Sequence, residues 1–404
     1  MNKPELLAPA GDLEKLACAL DYGADAVYLG SRRFGLRAAA GNFSHDDLIA
    51  AREATSRRGK KLYLTLNAYL TPDDFSALEK DLHKLRHLEI DAYIVSDPGV
   101  LSVIRRIDPE RPVHLSTQAN TTNAAAVDFW HRNGISRVNL ARELTIGDIR
   151  AIGAGTEAEV EVFVHGAMCI AYSGRCLLSA ALTGRSANQG ACSHPCRWGY
   201  ALVEETRPGQ YFPIEEDSHG TYIMNSRDIC LLGRLPELLA AGIDSLKIEG
   251  RMKSLYYVAA VTRVYRAAID RFCADPAEYT ADPQWSRELE MVSHRPYDEA
   301  FLDGHDSARV HADDSKYIRT HDFIGIVRET RPDGTAVVEG RNRFFAGENL
   351  ELIGPGMKTL PFTAGELKNI EGEPLRAGQP NARIVVALPA GAAPGDLLRR
   401  EKGD

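Results

Sequence analysis

Four cysteines are concentrated in one short part of this chain. Cys169, Cys176, Cys192 and Cys196 lie within 28 residues, among glycines and other small residues, whereas the other three cysteines are scattered. Four thiolates can hold a zinc ion or an iron–sulfur cluster, and clustered cysteines in a reducing compartment are more often ligands than disulfides. Structural zinc usually takes two tight pairs, and only Cys192 and Cys196 are spaced in that way. The spacing therefore favours a cluster and leaves zinc open.

Most of the chain must form the scaffold that positions these thiols. The first 250 residues alternate between apolar runs and amphipathic stretches, the pattern of strands separated by helices. Eight runs rich in Val, Ile, Leu and Tyr predict buried strands at 5–10, 25–30, 61–67, 91–97, 112–118, 136–142, 159–166 and 244–250. This α/β order predicts parallel βαβ units, and eight strands favour a (β/α)8 TIM-like barrel over a doubly wound open sheet.

One connection between the predicted strands is much longer than a helical crossover requires. It separates strand seven from strand eight and predicts an insertion at about 167–243, which begins with the four cysteines. In a barrel this insertion rises from the carboxyl ends of the strands, where active sites of the fold lie. The barrel domain is predicted over 1–310. From about 320 the pattern changes to short alternating strands, which predict a small C-terminal β-barrel domain over 320–404.

Composition excludes several classes of protein. A net charge of −8 argues against a protein that coats nucleic acid with bulk positive charge, so any RNA binding must use a local basic patch. The apolar runs are too short to span a bilayer, and the opening stretch lacks the features of an export signal. We therefore expect a cytoplasmic protein with no membrane partner. The HExxH, GxSxG and phosphate-loop motifs are absent, which disfavours a hydrolase with a recognisable nucleophile.

Several longer motifs resemble the collagenase-like peptidase U32 family. "EVFVHGAMCIAYSGRCLLS" is similar to the signature of that family, and "SANQGACSHPCRW", "EDSHGTYIMNSRD", "SLKIEGRMKSLYYVA" and "HRPYDEAF" resemble a branch that modifies tRNA. The similarity extends from "ELLAPAGDLEKL" into the C-terminal domain and so covers nearly the whole chain.

The resemblance implies an activity and a cofactor. The activity is prephenate-dependent, O2-independent 5-hydroxylation of the wobble uridine in the tRNA anticodon loop, the first step toward 5-carboxymethoxyuridine. The oligomeric state is left open, and a monomer is favoured. The cofactor is a 4Fe–4S cluster on Cys169, Cys176, Cys192 and Cys196, with Cys230 as a possible substitute ligand. The alternatives are hydroxylation of another acceptor (a ribosomal RNA base or a quinone precursor), a peptidase, and a non-catalytic RNA-binding module with a structural cluster.

With this activity in view, other polar residues become candidates. His165, Lys247 and Glu249 are the candidate catalytic groups, although His165 has the alternative of a buried structural histidine. Arg142 and Arg251, with Lys247, stand at predicted strand ends and could bind the carboxylates of prephenate. Salt bridges with Glu143 or Glu249 are the plain alternative for these cations.

A second set of candidates would contact the RNA. Asn67 and Gln118 could hydrogen-bond to a flipped base. Tyr172 and Trp198 could stack on bases, and Arg32, Arg33 and Arg37 could bind phosphates. The alternatives are loop closure for the amides, shielding of the cluster for the aromatic residues and a solvated surface for the arginines.

Overall fold

Eight parallel strands close into a barrel in the computed structural model, which describes residues 3–36, 42–169, 171–198, 216–217, 220–221, 227–304 and 317–403. The first seven are β1 (Glu5–Pro9), β2 (Ala26–Gly30), β3 (Lys61–Leu66), β4 (Ala92–Val95), β5 (Val113–Leu115), β6 (Arg137–Asn139) and β7 (Glu159–Ala167). They are followed by β8 (Glu216–Asp217), β9 (Gly220–Thr221), β10 (Asp228–Cys230), β11 (Ser245–Ile248) and β12 (Tyr297–Asp298). Strand β11 pairs in parallel with both β1 and β7 and so closes the ring, which confirms the predicted barrel. Strand β10 pairs antiparallel with the end of β7 and carries β12 on its other edge.

Helices cover the outside of this barrel and its insertion. In the described ranges they are α1 (Leu13–Asp21), α2 (His45–Arg57), α3 (Phe75–Leu85), α4 (Pro98–Ile107), α5 (Ala124–Arg132), α6 (Ile146–Ala154), α7 (Leu178–Thr183), α8 (Leu235–Ala240), α9 (Leu255–Ala274) and α10 (Pro283–Glu290). Capping residues mark where these helices begin, and α2 is an example. The Ser44 side chain accepts a hydrogen bond from the Asp47 N–H, and the Asp47 carboxylate accepts one from Ser44, which is a capping box. No helix in these ranges combines the length and apolar character needed to cross a membrane.

Charged side chains fill the amino end of the barrel interior. Lys247 Nζ lies 2.8 Å from Glu161 Oε1, and Arg137 Nη1 lies 3.6 Å from Glu161 Oε2 and 2.5 Å from Glu5 Oε1. Burial alone would raise the pKa of Glu161, but the two cations outweigh it and hold that pKa below its usual value. Lys247 is the third of the four residues of β11, near the predicted strand end, but it is only 4% exposed, and its catalytic role stays a prediction. Its side chain enters the barrel and pairs with Glu161, not with Glu143 or Glu249.

The C-terminal domain is a curled six-stranded antiparallel sheet, which confirms the predicted small β domain. Its strands are β13 (His321–Thr330), β14 (Thr335–Gly340), β15 (Asn349–Ile353), β16 (Thr359–Thr363), β17 (Arg383–Ala387) and β18 (Leu397–Glu401). Their spatial order is β16-β15-β18-β13-β14-β17 around a separate apolar core that includes Ile324, Phe344 and Leu352. Most of the predicted connection between the two domains, residues 305–316, lies outside the described residues.

A buried ion group joins the two domains. Glu288 Oε1 on α10 lies 2.5 Å from Arg263 Nη2 on α9 and 2.7 Å from Arg399 Nη1 on β18. Arg399 also contacts Glu351 Oε2 at 2.7 Å. Arg263, Glu288 and Arg399 are each at most 2% exposed, so the carboxylate of Glu288 compensates two guanidinium groups that water cannot reach.

Glu288→Gln is therefore expected to lower the free energy of unfolding by about 3–5 kcal/mol, because it leaves two buried cations with too little negative charge. Glu290→Gln changes an exposed residue of the same helix and should cost less than about 0.5 kcal/mol. Urea unfolding of the two variants makes the comparison. Equal stability of the Glu288 and Glu290 variants would contradict this account of the interface.

Candidate active site

The cysteine-bearing part of the insertion lies on the carboxyl ends of the barrel strands. We call residues 168–198 the cysteine segment. Ser173 donates from its backbone N–H and its Oγ to the two carboxylate oxygens of Glu143, at 2.6 and 2.7 Å. On the other side of the barrel opening, the backbone N–H of Tyr69 donates to the carbonyl of Asn188 at 3.1 Å. The segment therefore covers the end of the barrel where the fold places its active sites.

A chain of hydrogen bonds ties the same segment to Asn67 and Gln118. Arg175 Nε donates to Tyr69 Oη at 3.0 Å, and Tyr69 Oη donates to the carbonyl of Gln118 at 2.7 Å. Asn67 Nδ2 in turn donates to Gln118 Oε1 at 3.1 Å. The structure thus brings the two predicted base-reading amides together. Because the two side-chain amides bond to each other, the arrangement favours loop closure as their role.

Arg142 offers an unfilled hydrogen-bond donor at the barrel opening. Its Nη1 donates to the carbonyl of Ala167 at 2.9 Å, its Nη2 lies 3.9 Å from Glu249 Oε2, and its guanidinium stacks 4.0 Å from the Phe163 ring centre. Its Nε is buried and has no partner among the described residues. A buried donor without a partner is costly, and an anionic ligand that entered the opening would satisfy it once the surrounding side chains had moved. Arg142 and Glu249 form the pair that the salt-bridge alternative required, although 3.9 Å is long for such a contact.

Arg251 crosses the opening from the far side. Its Nη1 donates to Thr65 Oγ1 at 2.9 Å and its Nη2 to Asn42 Oδ1 at 3.3 Å, and the residue is 4% exposed. A Cβ at Gly30 would come within 2.6 Å of Nη1, so only glycine leaves room for the guanidinium. Arg251 is thus fixed at the carboxyl ends of β2 and β3, where the sequence predicted a carboxylate-binding cation.

His165 lies in a buried group of tyrosines. Its Nδ1 is 3.4 Å from Tyr265 Oη and its Nε2 is 3.4 Å from Tyr297 Oη, and it is 1% exposed. Burial lowers the pKa of His165 to about 3, so the ring is neutral at pH 7. This position favours the structural alternative over proton transfer in catalysis.

The neutral state of His165 gives a testable pH dependence. Between about pH 6.5 and 3 the unfolded chain binds a proton that the folded chain excludes, so stability falls as the pH falls. From pH 7 to pH 5 this residue should lower the free energy of unfolding by about 2 kcal/mol. His165→Gln should reduce the difference between urea unfolding at the two pH values by that amount. An unchanged difference would show that His165 is accessible to protons.

The four cysteines share the segment but do not form a closed metal site. Each thiol is partly exposed, and the backbone N–H of His194 donates to Cys192 Sγ at 3.4 Å. Among the described residues, no three His, Cys, Asp or Glu side chains are grouped closely enough to hold a metal ion. The number and type of donors fit an iron–sulfur cluster. The ligands of a cluster stand further apart than the ligands of a single ion, so the cluster stays a prediction.

The aromatic residues and arginines that were predicted to contact RNA lie in different places. Tyr172 and Trp198 are 50% and 40% exposed on the cysteine segment, so both rings are accessible for stacking. Arg32 and Arg33 are exposed and line a cleft of about 370 Å³ beside α2 and α3, next to the barrel opening. Arg37 lies outside the described residues.

Sequence reasoning missed the contacts that hold the cysteine segment in place. Glu143 was considered only as a salt-bridge partner, and Tyr69 and Arg175 were not considered at all. The contacts join residues that are 30 and 106 positions apart, and no local motif marks them.

Comparisons with known proteins agree with this architecture. The family model described as peptidase family U32 matches residues 11–312, and the model of the peptidase family U32 C-terminal domain matches 319–399. The chain is 38% identical to tRNA hydroxylation protein P1 of Bacillus subtilis, over 99% of this chain and 96% of that protein. It is also 38% identical to tRNA hydroxylation protein P of Escherichia coli, over 92% and 91%. A protein named collagenase from Porphyromonas gingivalis is 35% identical, over 76% and 74%.

Proposed function

The chain belongs to peptidase family U32, and from that premise we propose that it is an enzyme that hydroxylates tRNA. The observation that carries the proposal is similarity to two tRNA hydroxylation proteins over more than nine-tenths of each chain. The barrel opening supports it, because a cation with an unfilled donor stands there beneath a segment that bears cysteines and exposed aromatic rings. The proposed location is the cytoplasm, where tRNA is modified.

In finer detail, the proposed reaction is prephenate-dependent 5-hydroxylation of the wobble uridine. Prephenate carries two carboxylates, and we assign their binding to Arg142 and Arg251. Arg142 has an unfilled Nε donor, and Arg251 is held by Thr65 and Asn42 on the opposite side of the opening. Glu249 lies near Arg142 and would orient its guanidinium.

The proposed cofactor is a 4Fe–4S cluster held by Cys169, Cys176, Cys192 and Cys196. Support comes from four thiols on one segment above the barrel opening. When bound, such a cluster supplies electron-transfer chemistry or shapes the site. Glu143 and Tyr69 hold the segment over the opening, and the proposed substrate-binding residues do not depend on the cluster.

Peptidase activity is the second candidate, because one relative is named collagenase. The geometry of the serines disfavours it. Ser173 gives both its N–H and its hydroxyl to Glu143, and Ser179 donates to the carbonyl of Arg185. Within the described residues neither serine bonds to a histidine that could activate it. Cleavage of collagen by the purified protein, lost on Ser173→Ala, would favour the peptidase.

Deleting the gene for this chain tests the proposed function in cells. Mass spectrometry of tRNA nucleosides should show loss of 5-carboxymethoxyuridine and its derivatives, because their first step is missing. A plasmid that carries the chain should restore them, and a plasmid that carries Arg142→Ala should not. An unchanged level of these nucleosides in the deletion strain, with no second copy of the gene present, would contradict the proposal.

A further inference from the structure

Several large apolar side chains of the cysteine segment are exposed. Four of its large apolar residues are between 40% and 76% exposed: Tyr172, Leu177, Leu182 and Trp198. Leu177 is the most exposed, at 76%. Single exposed apolar residues are ordinary on a protein surface, but four within a segment of about thirty residues indicate a surface that something covers.

Hydroxyl groups occupy the inside of the segment, where apolar side chains would normally pack. Ser193 Oγ lies 2.9 Å from Ser179 Oγ and 3.0 Å from Thr183 Oγ1, and Ser179 Oγ donates to the carbonyl of Arg185 at 2.6 Å. These bonds hold α7 against the turn at Pro195–Arg197, so Leu182 and Trp198 lie on neighbouring elements. The segment is therefore held together by polar bonds, which leave its apolar residues available to a partner.

The charge of the same segment identifies the chemistry of that partner. Residues 168–198 contain Arg175, Arg185 and Arg197 and no Asp or Glu, in a chain with a net charge of −8. Arg175 is engaged with Tyr69, whereas Arg185 is exposed. A segment with arginines, no acidic residue and exposed aromatic rings has the properties that bind single-stranded nucleic acid, because phosphates meet cations and bases stack on the rings.

We propose that the solvent-facing side of the cysteine segment is the docking surface for an unpaired RNA loop. Trp198 and Tyr172 stack on unpaired bases, Leu177 and Leu182 pack against them, and Arg185 binds a phosphate. This proposal rests on the proposed function for RNA as the substrate and adds the surface that receives it. It places the loop directly above the barrel opening, because the inner side of the same segment contacts Glu143.

The test measures binding of a synthetic RNA hairpin with a single-stranded loop to the full chain, by fluorescence anisotropy over a series of salt concentrations. Trp198→Ala should weaken binding about tenfold through loss of a stacking partner. Arg185→Glu should weaken it about tenfold and lower the salt slope by about one, and Arg185→Lys should restore most of the affinity. A fully paired RNA of equal length should bind more weakly than the hairpin and should not respond to Trp198→Ala.

The last turn of helix α5, which precedes the amino end of β6, provides matched controls. Phe129 is 53% exposed and Arg132 is exposed, so Phe129→Ala and Arg132→Glu make the same chemical changes away from the proposed surface. Both should leave hairpin binding unchanged. Thermal unfolding midpoints equal to that of the unmodified chain check that all variants are folded.

Several outcomes would overturn the proposal. One is that the α5 variants weaken hairpin binding as much as the Trp198 and Arg185 variants do. Another is that the Trp198 and Arg185 variants bind the hairpin as well as the unmodified chain. A third is that these residues bind a second copy of the chain or another protein and bind no RNA. A different result would show that the proposed function is wrong. In that case the hairpin binds through this surface, but deleting the gene leaves 5-carboxymethoxyuridine in tRNA. If deletion abolishes the nucleoside and hairpin binding ignores these residues, hydroxylation stands and this docking surface is wrong.

Discussion

Replacing any one of the four clustered cysteines with alanine is expected to remove most of the bound iron and to abolish tRNA hydroxylation. The variants are Cys169→Ala, Cys176→Ala, Cys192→Ala and Cys196→Ala. Their effects should be equal and non-additive, because ligands of one cluster act as a unit. Anaerobically purified protein should be brown, with about four iron and four sulfide per chain. Iron and sulfide analysis of each variant, beside tRNA nucleoside analysis in cells, makes the measurement.

The other three cysteines are the matched controls. Burial raises the pKa of the Cys230 thiol to about 11, so without a bound metal this thiol is protonated at neutral pH. Burial also raises the pKa of Cys18, whereas Cys273 is exposed at the end of α9. Alanine at each of these positions should keep both iron and activity. If Cys196→Ala stays brown and active while Cys230→Ala loses both, Cys230 is the fourth ligand. Stoichiometric zinc without iron would contradict the cluster.

Arg142→Ala is expected to lower kcat/KM for prephenate by at least about a hundredfold, mainly through KM. A hydrogen bond between charged groups contributes about 1.5–3 kcal/mol, and Arg142 would make more than one such contact with a carboxylate. Arg142→Lys should recover only part of the loss, because an ammonium group cannot form the forked contact of a guanidinium. Steady-state kinetics with varied prephenate and fixed tRNA measure the effect.

Lys247→Met separates this binding role from the general effect of removing a buried cation. Lys247 pairs with Glu161 inside the barrel, so its loss should reduce stability and leave KM for prephenate unchanged. Equal changes of KM in the Arg142 and Lys247 variants would contradict the assignment of Arg142 to the substrate.

The barrel could be predicted from the sequence because each strand is a short apolar run next to an amphipathic helix. Strand ends were predicted less well: the run 244–250 contains a strand of only four residues, Ser245–Ile248. Lys247 is the third residue of that strand, and its side chain points into the barrel, toward Glu161. Side chains alternate along a strand, so Ser245 and Lys247 share the inner face, and both bond to Glu161. A sequence position near a strand end does not specify the face on which a side chain lies.

The arrangement of the candidate site depends on contacts that no local pattern contains. The sequence indicated that an insertion would rise above the barrel, but it did not indicate which residues would hold it there. The sequence suggested a neighbouring cation as the partner of Glu143. Instead, the Glu143 carboxylate accepts a hydrogen bond from Ser173, whose backbone is left-handed with φ of 43°. Likewise, His165 precedes Cys169 by four residues, yet its surroundings are set by tyrosines from α9 and β12.

Reconstitution with purified components tests the central claim most directly. The anaerobically purified chain is incubated with tRNA from cells that lack it, with and without prephenate, and the nucleosides are analysed by mass spectrometry. We predict that 5-hydroxyuridine forms at the wobble position only when prephenate is present, and that the Arg142→Ala chain forms far less of it at the same prephenate concentration. Absence of 5-hydroxyuridine from a reaction with fully iron-loaded protein, tRNA and prephenate would contradict the account.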